Sequence, residues 1–216
     1  MAKLDGASGN FIGRIGNMVY YLLNGKIVGR TIGKVESYSD KQLEVQMRTG
    51  VISPFFKTLN DFIRISFKNT PKEDPSWNFY NIAMSLNNPQ AIKGSYPDLE
   101  INYEKIILSK GAIPAPKNPK VLLNGNTLEF TWDPDVDAKG ADHRDQVMLV
   151  AWFPENEKTV FLTSGARRTD GKERLKLPSF NDETIIETYI SFSADDRTDV
   201  STSIYTGQLI WKEDLT

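Results

Sequence analysis

Seven short β-prone runs fill the second half of this 216-residue chain, and no other feature narrows its possible folds so far. The runs cover 120–123, 127–132, 146–153, 159–163, 173–177, 184–193 and 202–211, and are rich in Val, Ile, Phe, Tyr, Trp and Thr. Turn-forming stretches separate them: Asn124-Gly125, Asp133-Pro134, 154–158, Asp170-Gly171 and 194–199. A lone strand or hairpin cannot hide its apolar side, so runs at this spacing must pair into sheets that face each other. With 39% hydrophobic and 11% aromatic residues, the chain has enough apolar side chains to fill such a core.

The first half follows a different pattern. "NMVYYLL" and "KIVGRTI" flank Asn24-Gly25, the dipeptide that best supplies the two positive φ angles of a tight hairpin turn. Pairing outward from that turn sets Leu23 against Lys26, Leu22 against Ile27, Tyr21 against Val28 and Tyr20 against Gly29. Tyr20 then lies across the bare backbone of Gly29. Helical signals follow. Ser39 and Gln42 fit a capping box, Leu43, Met47 and Val51 recur at helical spacing, and Pro54 divides or kinks a helical stretch over about 39–66. A third helix is expected over 75–88, with Asp74 as N-cap, Pro75 at its first position, Pro89 as its stop, and Trp77, Tyr80 and Met84 facing inward. Leu99, Ile101 and Tyr103 alternate as in a strand, and "KIILS" reads as another.

Pro114, Pro116 and Pro119 make "GAIPAPKNPK" a stiff extended segment, where the domain boundary is expected. The charge changes sign there: residues 1–113 carry 14 Lys and Arg against 10 Asp and Glu, and 114–216 carry 12 against 18. The expected organisation is therefore α+β. An N-terminal domain, 1–113, holds the hairpin (18–32) and helices. A C-terminal domain, 114–216, is an all-β sandwich of immunoglobulin-like type.

Several function classes are excluded. Without cysteine there is no disulfide, thiolate metal site or Cys nucleophile. The mildly basic first half lacks the dense cationic stripe of a nucleic-acid binder, and no apolar run is long enough to span a membrane. "MAKLDGASGN" has no apolar leader core, so a chain starting natively at Met1 is expected in the cytoplasm, and the localisation is otherwise open. Gly6, Gly9, Gly13 and Gly16 lack the G-x-G-x-x-G spacing, and Gly25-Lys26 and Gly33-Lys34 are not followed by Ser or Thr. These glycines are read as conformational, with no cofactor implied. The acidic loop "DPDVDAKGADHRD" resembles a calcium loop only superficially, because Ala138 and Arg144 stand where that loop needs Gly and Glu. No metal site is expected. His143, the single histidine, has no activated serine accompanying it, so no catalytic residue is assigned.

What remains are candidate contact residues. Arg167 and Arg168, with Lys172 and Arg174, form either a site for a phosphate or acidic partner or a solvated hairpin loop. Trp152, Tyr205 and Trp211 are either stacking platforms for a carbohydrate or core residues. The expected function is a non-enzymatic interaction or assembly protein that binds a protein partner or itself. The alternative is a carbohydrate-recognising accessory protein.

Two resemblances add to this. "LEFTWDPD", with Trp132 and Pro134, and "ETYISFSADD", with Tyr189, resemble the strand-B and strand-F motifs of fibronectin type III-like modules. More specifically, "GNMVYYLLNGKIVGR", "SDKQLEVQMR", "FIRISFK", "AIKGSYPDLEINYEKIILSKG", "LEFTWDPD" and "VFLTSGARRTDG" together resemble an uncharacterised family of Bacteroidetes proteins classed as a domain of unknown function. That resemblance spans nearly the whole chain and implies no activity.

Overall fold

The computed structural model describes residues 3–5, 10–34, 37–70, 76–180 and 182–212, with side chains from residue 11 onward. Gly6, Gly9, Asp74 and Pro75 lie outside the described residues. Compactness divides the chain into two units, Met1–Leu43 and Glu44–Thr216.

The first unit is an antiparallel sheet in the order β1 (Lys3–Asp5), β2 (Asn10–Ile15), β3 (Met18–Leu23), β4 (Lys26–Thr31). The expected hairpin is its β3–β4 half, paired from Leu23↔Lys26 to Tyr20↔Gly29 and beyond. Asn24 and Gly25 have φ of 51° and 77°, as the turn requires. A Cβ added to Gly29 would stand 2.8 Å from Tyr20 Cε1, so the tyrosine ring does occupy the space above the glycine. The sheet has two strands more than the hairpin expected from the sequence. Gly16, with φ 61°, and Asn17 make a second two-residue turn that returns β2 onto β3.

In the second unit, helices cover one face of a sheet and a second sheet covers the other. The division between units falls within α1 (Asp40–Thr58), which opens on the expected capping box: the Gln42 side chain accepts from Ser39 N–H at 3.0 Å. Pro54 lies inside α1 without ending it. The break comes at Leu59, whose N–H bonds back only three residues to Phe56 O, and α2 (Asn60–Ser66) follows. α3 (Phe79–Asn87) begins later than the expected residue 75, because the Asn78 side chain caps it by accepting from Asn81 N–H at 2.9 Å. β5 (Ile92–Ser95) and β6 (Asp98–Ile101) form a small hairpin. "KIILS", expected as a strand, is irregular. Asn87, Ser203 and Ser66 side chains bond the main chain of Ile107 and Leu108 in place of a neighbouring strand.

The seven β-prone runs become β7 (Lys117–Asn124), β8 (Thr127–Asp133), β9 (Gln146–Phe153), β10 (Lys158–Leu162), β11 (Lys172–Lys176), β12 (Thr184–Ser193) and β13 (Ile204–Trp211). The β7–β8 turn centres on Gly125-Asn126, one residue later than expected. The strands form two antiparallel sheets, β11-β8-β7 and β10-β9-β12-β13. Between them lies one core, with Leu128, Phe130 and Trp132 of β8 against Val147, Leu149, Ala151 and Phe153 of β9 and Ile186, Ile190 and Phe192 of β12.

Side chains alternate across a strand, so Met148, Val150 and Trp152 of β9 face the opposite way. There they meet Ile52, Phe55, Phe56 and Leu59 and the α2 residues Phe62 and Ile63 in a second core. Tyr189 of β12 belongs to this helix-facing side, and its hydroxyl donates to Tyr103 O at 2.9 Å. Phe55 is the hub, with ring centroids 4.9 Å from Trp152, 5.4 Å from Phe56 and 6.1 Å from Tyr189. Replacing Phe55 by Ala removes that hub from a fully buried position and is expected to cost about 3–5 kcal/mol. Urea unfolding followed by tryptophan fluorescence measures it; a loss below about 1 kcal/mol would show that the helix layer does not depend on this ring.

Candidate interaction surface

The first unit sorts its side chains by face. The pairings Gly13↔Tyr20, Ile15↔Met18, Tyr20↔Gly29, Leu22↔Ile27 and Met18↔Thr31 put these residues on one side of the sheet, together with Phe11, two residues before Gly13. Among the described side chains of β2, β3 and β4, that side carries no charge. Phe11, Ile15 and Leu22 are 52%, 48% and 56% exposed on it, and Met18, Tyr20 and Ile27 are half-buried. The opposite side carries Arg14, Lys26 and Arg30, all exposed, between Ile12, Val19, Tyr21, Leu23 and Val28. No described side chain of this unit is buried. A sheet gains its stability from an apolar face removed from water, about 1.5–3 kcal/mol for each large side chain covered, and among the described side chains here that gain is only partly realised. The sequence signal for β2 was the Gly16-Asn17 dipeptide. It was masked by Gly13 and Arg14, which interrupt the β-prone pattern.

The contact residues expected from sequence are in the second unit, and they do not form one surface. Arg168 is 1% exposed. Its guanidinium meets Asp145 Oδ2 at 3.1 Å, donates to Pro114 O at 2.8 Å and stacks 4.0 Å from the Phe192 ring, while its own carbonyl accepts from Trp132 Nε1 at 2.8 Å. It holds loops and strands together from inside. Its neighbour Arg167 faces outward, with its N–H bonded to the Asp170 carboxylate at 2.8 Å. Arg174 is engaged with Glu129 at 2.8 Å.

Trp152 is buried beneath the helices and Trp211 is buried in the inter-sheet core, so neither ring is open for a sugar to stack on. Tyr205 is half-buried, with its hydroxyl donating to Glu187 Oε2 at 2.6 Å; Gln208 Nε2 donates to the other oxygen of Glu187 at 2.7 Å. Glu187 itself is buried. Burial, reinforced by this carboxylate, pushes the Tyr205 and Tyr189 phenols upward, and burial likewise raises Tyr103.

The acidic loop is used for local pairing. Arg144 holds Asp142 down to about 2 through hydrogen bonds to its carboxylate, and exposed His143 lies 3.3 Å from the same group. Asp145 turns inward to Arg168. A cleft of about 320 Å³ opens beside this loop, lined by Asp142, Arg144, Asp195, Asp196 and Asp199 among others. Among the described residues, no three His, Asp or Glu side chains are grouped so as to hold a metal ion. No described helix is long and apolar enough to cross a membrane.

Comparison with known families matches residues 7–207 to the family of unknown function DUF6266. No curated protein matches the chain.

Two outcomes follow from the buried polar groups. Arg168→Ala leaves Asp145 buried without its cation and is expected to cost about 3–5 kcal/mol in chemical denaturation. Removing both partners by the Asp145→Leu and Arg168→Met pair should cost less, since no charge is then left buried alone; an equal cost would show that the loss comes from the Arg168 contacts with Pro114 O and the Phe192 ring and not from an unpaired Asp145. The raised phenols concern alkaline pH. A folded state that favours neutral tyrosine contributes stability below the ordinary phenol value of about 10, and that stability is lost as pH rises through the folded values. In an ultraviolet phenolate titration, Tyr103, Tyr189 and Tyr205 should ionise late, and Tyr205→Phe should remove one of these late groups. A Tyr205→Phe titration that keeps the whole late phase of the folded chain would contradict this.

Proposed function

We propose that this chain, which belongs to DUF6266, a family of unknown function, is a non-enzymatic interaction protein in which an immunoglobulin-like sandwich carries a separate docking sheet. The observation that supports it is the contrast between the units: the second fills two cores, whereas no described side chain of the first is buried and one of its faces is apolar. A sheet with that composition is stable when another surface covers it, which is the physical basis of sheet-mediated recognition.

The strand order favours the immunoglobulin-like reading. If β7 to β13 are taken in turn as strands A, B, C, C′, E, F and G, the sheets read E-B-A and C′-C-F-G, close to the arrangement of such domains. The charged groups support a binding role over a catalytic one. Arg168 and Asp145 are spent on each other inside the protein, and Asp142 is engaged by Arg144 at the surface. The carbohydrate alternative rested on Trp152, Tyr205 and Trp211; Trp152 and Trp211 are buried, and half-buried Tyr205 is left to it.

Affinity retrieval from native cells tests the reading. The full chain is expected to retain a partner, itself included, that a form lacking residues 1–33 does not, while both forms keep the same melting transition for the second unit. Equal retrieval by the two forms would place the function outside the N-terminal sheet.

A further inference from the structure

We infer that the cationic face of the N-terminal sheet lies on an anionic lipid bilayer, as a surface contact and not a span. The inference rests on the reading of that sheet as a docking element, and it names both the face used and its occupant.

Charge is segregated along this chain. Residues 10–34 contain four Lys and Arg and no Asp or Glu, so all 28 acids of the protein lie outside this stretch. The rest of the chain is net acidic and is repelled by a negative surface, whereas this stretch is drawn to one, which favours contact through it.

Three of the four cations share one face. Arg14 and Arg30 flank Val19 in one row across the strands, and Lys26 stands beside Leu23 at the hairpin end. All three are exposed. Arg14 and Arg30 are two strands apart, about 10 Å, and Lys26 lies about 13 Å along β4 from Arg30. Arg14 is also held by its own turn, where Nε donates to Gly16 O at 2.9 Å. Cations this far apart match many anions spread over a plane better than a single phosphate group. In a bilayer the headgroups diffuse to the cations they neutralise, so no fixed spacing has to be met.

The uncharged side chains of the same face select among anionic surfaces. Ile12, Val19, Tyr21, Leu23 and Val28 stand between the cations, and Leu23 is 50% exposed. Apolar residues and a tyrosine interleaved with Arg and Lys suit the boundary between headgroups and acyl chains, where the apolar parts enter and the charges stay with the phosphates. A single-stranded nucleic acid is the poorer fit. It needs exposed rings on which bases stack, and Tyr21, the one aromatic among the described side chains of this face, is half-buried. An acidic protein has to present carboxylates at fixed, matching intervals, a condition that a fluid bilayer escapes.

Flotation of the full chain with vesicles of equal parts phosphatidylcholine and phosphatidylglycerol tests this, with phosphatidylcholine alone as the neutral comparison. Each cation near an anionic surface raises partitioning about fivefold, so the three together should raise it roughly a hundredfold over neutral vesicles at low salt. Added salt should reverse most of that gain, as the screening length shortens from about 10 Å at 0.1 M to about 3 Å at 1 M. Lys26→Gln with Arg30→Gln should weaken binding about 25-fold. Lys172→Gln with Lys176→Gln, two exposed cations of the second unit, should weaken it by no more than about twofold. Circular dichroism checks that both pairs remain folded. Inorganic phosphate and chloride should release the chain equally at equal ionic strength; stronger release by phosphate would reveal a discrete phosphate site and overturn the bilayer.

The face is tested separately. Leu22 and Leu23 are adjacent, similarly exposed and on opposite faces, and the chain has no cysteine, so a single introduced thiol takes a polarity-sensitive fluorophore. On anionic vesicles the label at Leu23→Cys should shift to the blue and the label at Leu22→Cys should not. A shift at position 22 alone, equal flotation with both kinds of vesicle, or equal loss from the two double substitutions overturns the inference. If the chain ignores vesicles but retrieves a protein or a nucleic acid only while residues 1–33 are present, the bilayer is the wrong occupant and the docking sheet stands. If it ignores vesicles and its retrieval is unchanged by that deletion, both readings fall.

Discussion

The second unit depends on a sheet that is covered on both faces. In β9, Val147, Leu149, Ala151 and Phe153 face the other sheet while Met148, Val150 and Trp152 face the helices, so the strand has no polar side to give to water. Polar side chains in the neighbouring β12 must then find partners inside. Thr188 Oγ1 donates to Gly207 O at 2.7 Å, and Tyr205 and Gln208 donate to Glu187. Leaving any of these groups unpaired would cost more than its bond contributes, which ties β13 and the segment around Tyr103 to the central sheet.

Arg168 adds a second constraint of a different kind. One guanidinium engages the Asp145 loop and the main chain at Pro114, and it stacks on Phe192. Trp132 is tied to the same residue through the Arg168 carbonyl. Burying an ion pair gives little net stability, because desolvation consumes most of the attraction. Its effect is selective: arrangements of these loops that separate the two charges are strongly disfavoured, so a proline-rich segment and an irregular loop are held in one position. The basic cluster read from "GARRTDGKER" is divided by this role, with Arg168 turned into the core and Arg167 and Arg174 left on the surface.

The first unit follows the opposite rule. Its pairing is well defined, with Tyr20 over Gly29 and two tight turns, but its apolar side chains have no core of their own. Local chemistry can specify a sheet of this kind without supplying most of its stability. On the reading proposed above, the remainder comes from a surface that covers it.

How much of this was legible can be traced residue by residue. Turn dipeptides and β-branched or aromatic runs located β9 and β12 to the residue, and the Asn24-Gly25 turn determined the register of β3 against β4, because both depend on local backbone preference and on a period of two. Strand β2 was hidden because Gly13 and Arg14 interrupt its pattern, although Gly16-Asn17 marked its turn. "KIILS" has the composition of a strand, yet side chains from Asn87, Ser66 and Ser203 bind its backbone, and no local signal reports a partner that distant. The expected contact residues show the same limit, since nothing within the sequence tells an exposed Trp152, Trp211 or Arg168 from a buried one. The sequence by itself determined where chain segments extend, coil and turn. Only the tertiary structure decided which face each segment buries, because burial is a property of what lies opposite, and that is brought there by residues far away in the chain.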